Sequence, residues 1–285
     1  MLRTASILAA LLALSGIASA QALDGRLKKI AASKSIAIAY RADAIPFSFV
    51  DEQKQPIGYT IDLCKRVAGL IGEQLKVQGL QIKWVAVTSQ TRFDAIAKGQ
   101  ADMECGSSTV TLGRMKQVDF SHFTFVDGTG LLITKASGIR SMSDIAGKRV
   151  GVVAGTTNER VIGELDKRRK LGLNIVVMKS RDEAVAALEA GKVDAFASDK
   201  VLLIGALSSA KDAKSLHLMQ EDLSFEPYAI ALPRGDADMR LAVNTALANI
   251  YREGEIVSIF NKWFGAIGEP TGLMRAMFVF GALRE

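Results

Sequence analysis

"AIAKGQADMECG" (95–106) and "ALEAGKVDAFAS" (187–198) decide how this chain is to be read. In each, a helical run stops at a glycine turn, a small polar pair follows, and a short apolar strand leads to a polar residue. A strand that follows a helix across so short a turn belongs to an α/β layer, where helices cover the faces of a sheet. Ligands of open α/β sheets gather at the C-terminal ends of the strands. The pattern occurs twice, so the chain should form two similar lobes, each offering a rim of polar groups.

The surrounding sequence keeps the same rhythm. Residues 36–40 read as a strand, and 60–74 as a helix with Ile61, Val67, Leu70 and Ile71 on one face. Residues 81–87 are a strand; Thr88-Ser89 caps a helix reaching Lys98, with Gly99 as its stop. Residues 101–105 are a strand. Strands at 149–153, 174–178 and 193–197 then alternate with helices at 157–168, 180–190 and 199–207. This predicts mostly parallel sheets. The apolar runs 120–133 and 227–232 read as two crossings between lobes, leaving the second lobe as an insertion in the first.

Met1-Leu2-Arg3, an apolar run from Ile7 to Leu14 and the small residues Ala18-Ser19-Ala20 have the build of a secretory signal peptide, with cleavage expected after Ala20. The rest of the 285 residues is enough for one large domain or two ordinary ones. The net charge of +6 is compatible with an anionic ligand. The densest basic run, Lys167-Arg168-Arg169-Lys170, lies at a helix end and has no interleaved aromatics, so it reads as a solvated last turn rather than a nucleic-acid patch. In an exported protein Cys64 and Cys105 either pair or serve as two small buried hydrophobes.

Most catalytic chemistries lack their residues. The two histidines, His122 and His217, have no metal-ligand spacing. There is no Gly-x-Ser-x-Gly elbow and no phosphate loop with its lysine. "GVVAGTTNE" (151–159) is a strand, a glycine turn and a helix start, a place that can hold an anion.

Several stretches in order resemble the bacterial periplasmic amino-acid-binding proteins of ABC importers, solute-binding protein family 3. They are "AIPFSFVDEQKQPIGYTIDLCKRVA" (44–68), "RFDAIAKGQADMECGSST" (92–109), "GRMKQVDFS" (113–121), "DIAGKRVGVVAGTTNE" (144–159), "ALEAGKVDAFASDKVLL" (187–203) and "REGEIVSIFNKWFG" (252–265). The resemblance implies a two-lobed periplasmic-binding-protein fold, each lobe a mostly parallel sheet flanked by helices, joined by two crossing strands. It divides the chain into residues 21–127 with 227–285 as the first lobe and 128–226 as the second. The implied function is capture of an amino acid by lobe closure, for delivery to a membrane ABC permease. It also implies a periplasmic monomer with no cofactor, no metal and no nucleic acid.

The resemblance also implies roles. Gly106 allows close backbone approach, and Ser107 and Thr109 offer hydroxyl and backbone groups. Arg114 matches the arginine that forks onto the ligand α-carboxylate, Thr156-Thr157 adds N–H groups, and Asp199 takes the α-ammonium. Arg41 and Arg92, with Ser89, match the glutamate/aspartate branch, where their counterparts hold the side-chain carboxylate; the ligand is then L-glutamate or L-aspartate. Three arginines against one aspartate would leave a surplus of two positive charges. The plainer alternatives are an Arg41 pair with Asp43 or Asp51, an Arg92 on a solvated helix face, an Arg114–Asp119 pair, and Asp199 and Thr157 as helix caps. One departure is Ser180-Arg181-Asp182, where some acidic-ligand members place a histidine. Phe47 and Phe49 are either cleft walls or core. The tail from Gly268 reads as a terminal helix. An exported enzyme of the same fold, acting on a small carboxylate with Glu104 as acid/base, is the rival reading. A buried Glu104 without a cationic partner would favour it.

Overall fold

The computed structural model of the protein describes residues 25–208 and 210–284; the expected signal peptide, residues 1–20, lies outside them. The first half runs α1 (Gly25–Ser33), β1 (Ser35–Arg41), β2 (Asp43–Ala44), β3 (Ser48–Val50), β4 (Pro56–Ile57), α2 (Tyr59–Gln74), β5 (Gln81–Val87), α3 (Arg92–Ala97), β6 (Met103–Glu104) and β7 (Val118–Asp127). The middle runs β8 (Thr129–Thr134), β9 (Arg149–Val153), α4 (Thr157–Arg169), β10 (Asn174–Met178), α5 (Arg181–Glu189), β11 (Ala195–Asp199), α6 (Lys200–Leu207) and β12 (Leu216–Leu218). The chain closes with β13 (Glu226–Pro233), α7 (Ala237–Arg252), α8 (Glu255–Phe264) and α9 (Gly272–Gly281).

Two five-stranded sheets organise these elements, in the orders β5-β1-β6-β13-β7 and β10-β9-β11-β8-β12. In each, the first three strands are parallel and the last two pairings are antiparallel. Parallel pairing therefore holds where a helix connects the strands, as a parallel crossover requires. The crossing strands run the other way. The first sheet ends at Asp127 and the chain enters the second at Thr129, returning at Glu226 directly opposite Asp127.

The repeated motif has a physical meaning. Asp102 accepts the Ala37 N–H at 2.8 Å and gives its own N–H to the Ala37 carbonyl at 2.7 Å. Asp194 does the same with Arg149, at 2.8 Å each way. In both lobes this aspartate pins the start of the third strand to the middle strand, so the residues after the two strands arrive at the same edge.

Each sheet is covered on both faces. In the first, α2 buries Ile61, Val67, Leu70 and Ile71 as its spacing requires, together with α7, α8 and α9; Phe93, Ile96 and Phe120 fill the opposite face. The second has its own pair of apolar layers. Phe47 is fully buried against Tyr59, Phe125, Tyr228 and Phe264, so it is core rather than cleft wall. Phe49 packs edge-on against Trp263. The tail helix α9 buries Met274, Met277 and Phe278, the last against Tyr251. Cys64 of α2 and Cys105, which follows β6, form a disulfide with Cα atoms 6.4 Å apart.

The lobes touch. At Gly205 of α6 a Cβ would lie 2.1 Å from the Ile45 carbonyl oxygen, a backbone approach that only glycine permits.

Candidate functional site

All eight expected site residues lie at or just beyond the C-terminal ends of strands or in the loops that follow them. Arg41 ends β1, and Ser89 and Arg92 follow β5. Ser107, Thr109 and Arg114 follow β6; Thr157 follows β9, and Asp199 ends β11. Seven of the eight are buried, and Arg114 is half-buried in a short 3₁₀ turn.

Ser89 does not cap α3. Residues 88–91 fold as a turn, with the Arg92 N–H on the Thr88 carbonyl at 3.2 Å, and the helix starts only after Thr91. That turn buries the Ser89 hydroxyl, which meets no partner among the described residues; the Ser107 hydroxyl is in the same condition. A buried polar atom without a partner is costly and asks for a ligand.

The Arg92 guanidinium is buried, not on a solvated face. Its Nε donates to Ser108 Oγ at 2.9 Å, and its two terminal nitrogens donate to the Ser89 carbonyl and, across the lobes at 3.4 Å, to the Gly155 carbonyl. Burial, with Arg114 and Arg41 nearby, pushes its pKa well down. Arg114 donates to the Thr109 carbonyl at 2.7 Å and to the Gly155 carbonyl at 3.3 Å, not to Asp119. Burial lowers its pKa too, against the pull of Asp199 and Glu226. Among the described residues, neither arginine has a carboxylate within ion-pair distance.

Arg41 is partnered. It places two nitrogens on Asp43, at 2.6 and 3.0 Å, and Arg181 approaches the same carboxylate from the second lobe at 3.6 Å. Against burial, which raises it, Arg41 and Arg181 hold Asp43 below the usual carboxylate range. Asp43 thus bridges an arginine of each lobe. The departure at Arg181 is filled by a buried cation whose Nε has no partner.

Neither Asp199 nor Thr157 spends its side chain on capping. Asp199 precedes α6 without capping it; it accepts from Asn158 at 2.6 Å and from the Tyr228 hydroxyl. Burial and the Glu226 charge raise its pKa. Thr156 caps α4, which releases the Thr157 hydroxyl to donate to Glu226 at 2.6 Å. The Thr109 hydroxyl donates to the same oxygen at 2.7 Å. Asp127, beside them on the crossing strand, has its pKa raised to about 8 by burial and by Asp199 and Glu226.

The charge count made from sequence needs correction. Four arginines, Arg41, Arg92, Arg114 and Arg181, face Asp43, Glu104, Asp199 and Glu226, so the region does not carry a surplus of two positive charges. What the fold provides is separation. Arg41, Arg92 and Arg181 gather by β1, α3 and α5, whereas Asp127, Asp199 and Glu226 gather at the crossing strands. Gly106 also has a use that its sequence context did not suggest. A Cβ there would sit 2.3 Å from Glu104 Oε1 and 3.1 Å from the Arg41 stem, so it makes room for neighbouring side chains. Glu104 is fully buried, and neither oxygen has a hydrogen-bond partner among the described residues. Burial pushes it up; Arg92 and Arg41 pull it down.

Sequence reasoning did not assign Ser108, Asn158, Tyr228 and Glu226. Of these only Glu226 left a signal, a carboxylate opening an otherwise apolar strand.

Comparison with known proteins gives a consistent picture. The family described as bacterial extracellular solute-binding proteins, family 3, matches residues 36–266. An L-glutamate/L-aspartate-binding protein of Pseudomonas aeruginosa is 38% identical over 95% of this chain and 90% of its own length. A glutamate/aspartate import solute-binding protein of Salmonella typhimurium is 34% identical over 86% of this chain and 81% of its own. Among solved structures, an ancestral arginine-binding protein bound to arginine aligns with TM-score 0.74 and 29% identity over 81% of this chain and 99% of its own. The ancestral amino acid-binding protein AncCDT-1, a precursor of cyclohexadienyl dehydratase, aligns with TM-score 0.71 and 27% identity over 84% and 100%.

Proposed function

The chain belongs to the bacterial extracellular solute-binding proteins, family 3, and on that premise we propose that it is the periplasmic substrate-binding component of an ABC importer for L-glutamate or L-aspartate. Residues 21–127 with 227–285 form the first lobe and 128–226 the second, and the ligand is held between them until the closed protein docks on a membrane permease. The protein works as an exported monomer, after removal of residues 1–20.

One observation carries the reading. Arg92 and Arg114 lie between the lobes with no carboxylate in ion-pair reach among the described residues, beside buried hydroxyls of Ser89 and Ser107 that lack partners. A ligand with two carboxylates supplies what both lack. Arg114 forks onto the α-carboxylate, with the N–H groups at Thr157. Arg92 and Ser89 hold the distal carboxylate, with Arg41 and Arg181 behind it through Asp43. Asp199 takes the ammonium, with Ser107 and Thr109 beside it. Closure strengthens each pair by removing water. The arginine end repels a cationic side chain, although a structural neighbour binds arginine.

The test is calorimetry on refolded, ligand-stripped protein with L-glutamate, L-aspartate, L-glutamine, L-arginine and succinate. One-to-one binding of glutamate or aspartate, lost in Arg114→Ala, supports the reading. Tight glutamine binding with glutamate rejected means that Arg92 does not meet a ligand carboxylate. Silence with all five sinks it.

A second reading rests on the buried Glu104, but the nearby cations Arg92 and Arg41, which pull its pKa down, leave the condition for that reading, a Glu104 without a cationic partner, unmet. Such a carboxyl, raised by its burial, suits an acid/base on a small carboxylate. The relatives at 34–38% identity are named as binding proteins, and we place this chain with them. Recovery of bound glutamate and of added small carboxylates unchanged, by NMR after prolonged incubation, separates the two.

A further inference from the structure

Glu226 opens the second crossing strand and is 2% exposed. Its carboxylate meets hydroxyls from both lobes. Oε2 accepts from Thr109 at 2.7 Å and from Thr157 at 2.6 Å; Oε1 accepts from Ser224 and, at 3.3 Å, from Thr129. The two threonine oxygens are 3.4 Å apart. A hydroxyl has one proton and two lone pairs. With both protons committed to Glu226, Thr109 and Thr157 have only lone pairs left to offer a ligand. They can accept a hydrogen bond and cannot give one.

Asp199 reinforces the same polarity. It is tied to Glu226 through Asn158, whose amide donates to Asp199 at 2.6 Å and to Thr129 at 2.8 Å. Apart from the unpartnered Ser107 hydroxyl, this end of the site therefore offers acceptors, and it favours a ligand group that is a multiple donor carrying positive charge.

We propose that Glu226 is a positioning residue that fixes the Thr109 and Thr157 hydroxyls as acceptors, and so makes an α-ammonium obligatory for ligands of this site. This rests on the amino-acid reading above and adds what excludes the corresponding hydroxy acids. Glu226 acts through the two hydroxyls rather than on the ligand. In Glu226→Leu no acceptor remains, so the Thr109 and Thr157 protons turn away and become available to a neutral oxygen.

The experiment is calorimetric titration of wild type and Glu226→Leu with L-glutamate, L-aspartate and (S)-2-hydroxyglutarate, in which a hydroxyl replaces the ammonium. Wild type should prefer glutamate over the hydroxy acid by roughly a thousandfold or more, an order expected when polar groups built for a donor are left unmet. Glu226→Leu should lower that ratio at least tenfold, with glutamate weakened and the hydroxy acid unchanged or improved. A ratio that stays constant, whether both affinities fall together or neither moves, overturns the positioning role. Wild type binding neither amino acid overturns the ligand reading itself, and this inference with it. If Glu226→Leu does not fold, Thr157→Val must lower the same ratio and Thr157→Ser must restore it. A ratio that Thr157→Val does not move is equally fatal.

Discussion

Arg92 is the residue on which the proposed acidic specificity stands. Its guanidinium is buried, touches neutral acceptors on both lobes, and has no ion pair among the described residues. Removing a buried charge from a ligand pair typically costs about 2–5 kcal/mol. Arg92→Ala should therefore weaken glutamate binding roughly 30-fold or more, and Arg92→Lys should not restore it, because an ammonium cannot fork. Unchanged affinity in Arg92→Ala would place the side chain out of ligand reach. Asp127 supplies the pH dependence. Its pKa rises from 3.8 to about 8 in the folded chain. Between those values the folded state holds a proton that the unfolded state has lost. The stability of the ligand-free protein should thus fall as pH rises from about 4 to about 8, then level off. An ammonium bound at Asp199 relieves the repulsion and favours the ionised form. Titrations at pH 7 in buffers of different ionisation enthalpy should show proton release on binding, fading above pH 9; proton uptake would contradict this account.

At the scale of elements, the loop after β6 joins chemistry to scaffold. Cys105 ties it to α2 through the disulfide to Cys64, closing a sequence separation of 41 residues. A loop of that length is worth about 2–4 kcal/mol. The double variant Cys64→Ala/Cys105→Ala should lose that much in urea unfolding while keeping one binding site per chain. A loss well under 1 kcal/mol would mean that packing alone holds the loop. The elements themselves were largely legible, because apolar spacing and glycine stops are local signals: 81–87, 149–153 and 174–178 lie where the pattern put them. Two shifts are informative. The strand expected at 193–197 is β11, Ala195–Asp199, because Asp194 is spent on pinning Arg149. The N-cap position expected at Thr88-Ser89 falls at Thr91, so the Ser89 side chain is not used in capping.

For the whole molecule, closeness of the lobes is the quantity to test. Gly205 lets α6 lie against the Ile45 carbonyl, where a Cβ would be 2.1 Å away. Gly205→Ala should favour the helix by about 0.5–1 kcal/mol yet obstruct closure, at a typical overpacking cost of about 1–3 kcal/mol. Ligand affinity should fall roughly tenfold or more, while the ligand-free unfolding midpoint does not drop. An unchanged affinity would mean that the ligand-bound lobes stand further apart than here. Order along the chain was enough to determine the α/β class, the repeat, the two crossings and the list of residues at strand ends, since each is set by neighbours in sequence. Whether Arg41 is free or spent on Asp43, whether the Asp199 side chain caps α6, and whether Cys64 and Cys105 pair depended on groups far apart in the chain. So did the pairing of Glu226 with Thr109 and Thr157, separated from it by 117 and 69 residues. Burial and hydrogen-bond direction arise only when distant segments meet, and only the tertiary structure decided them.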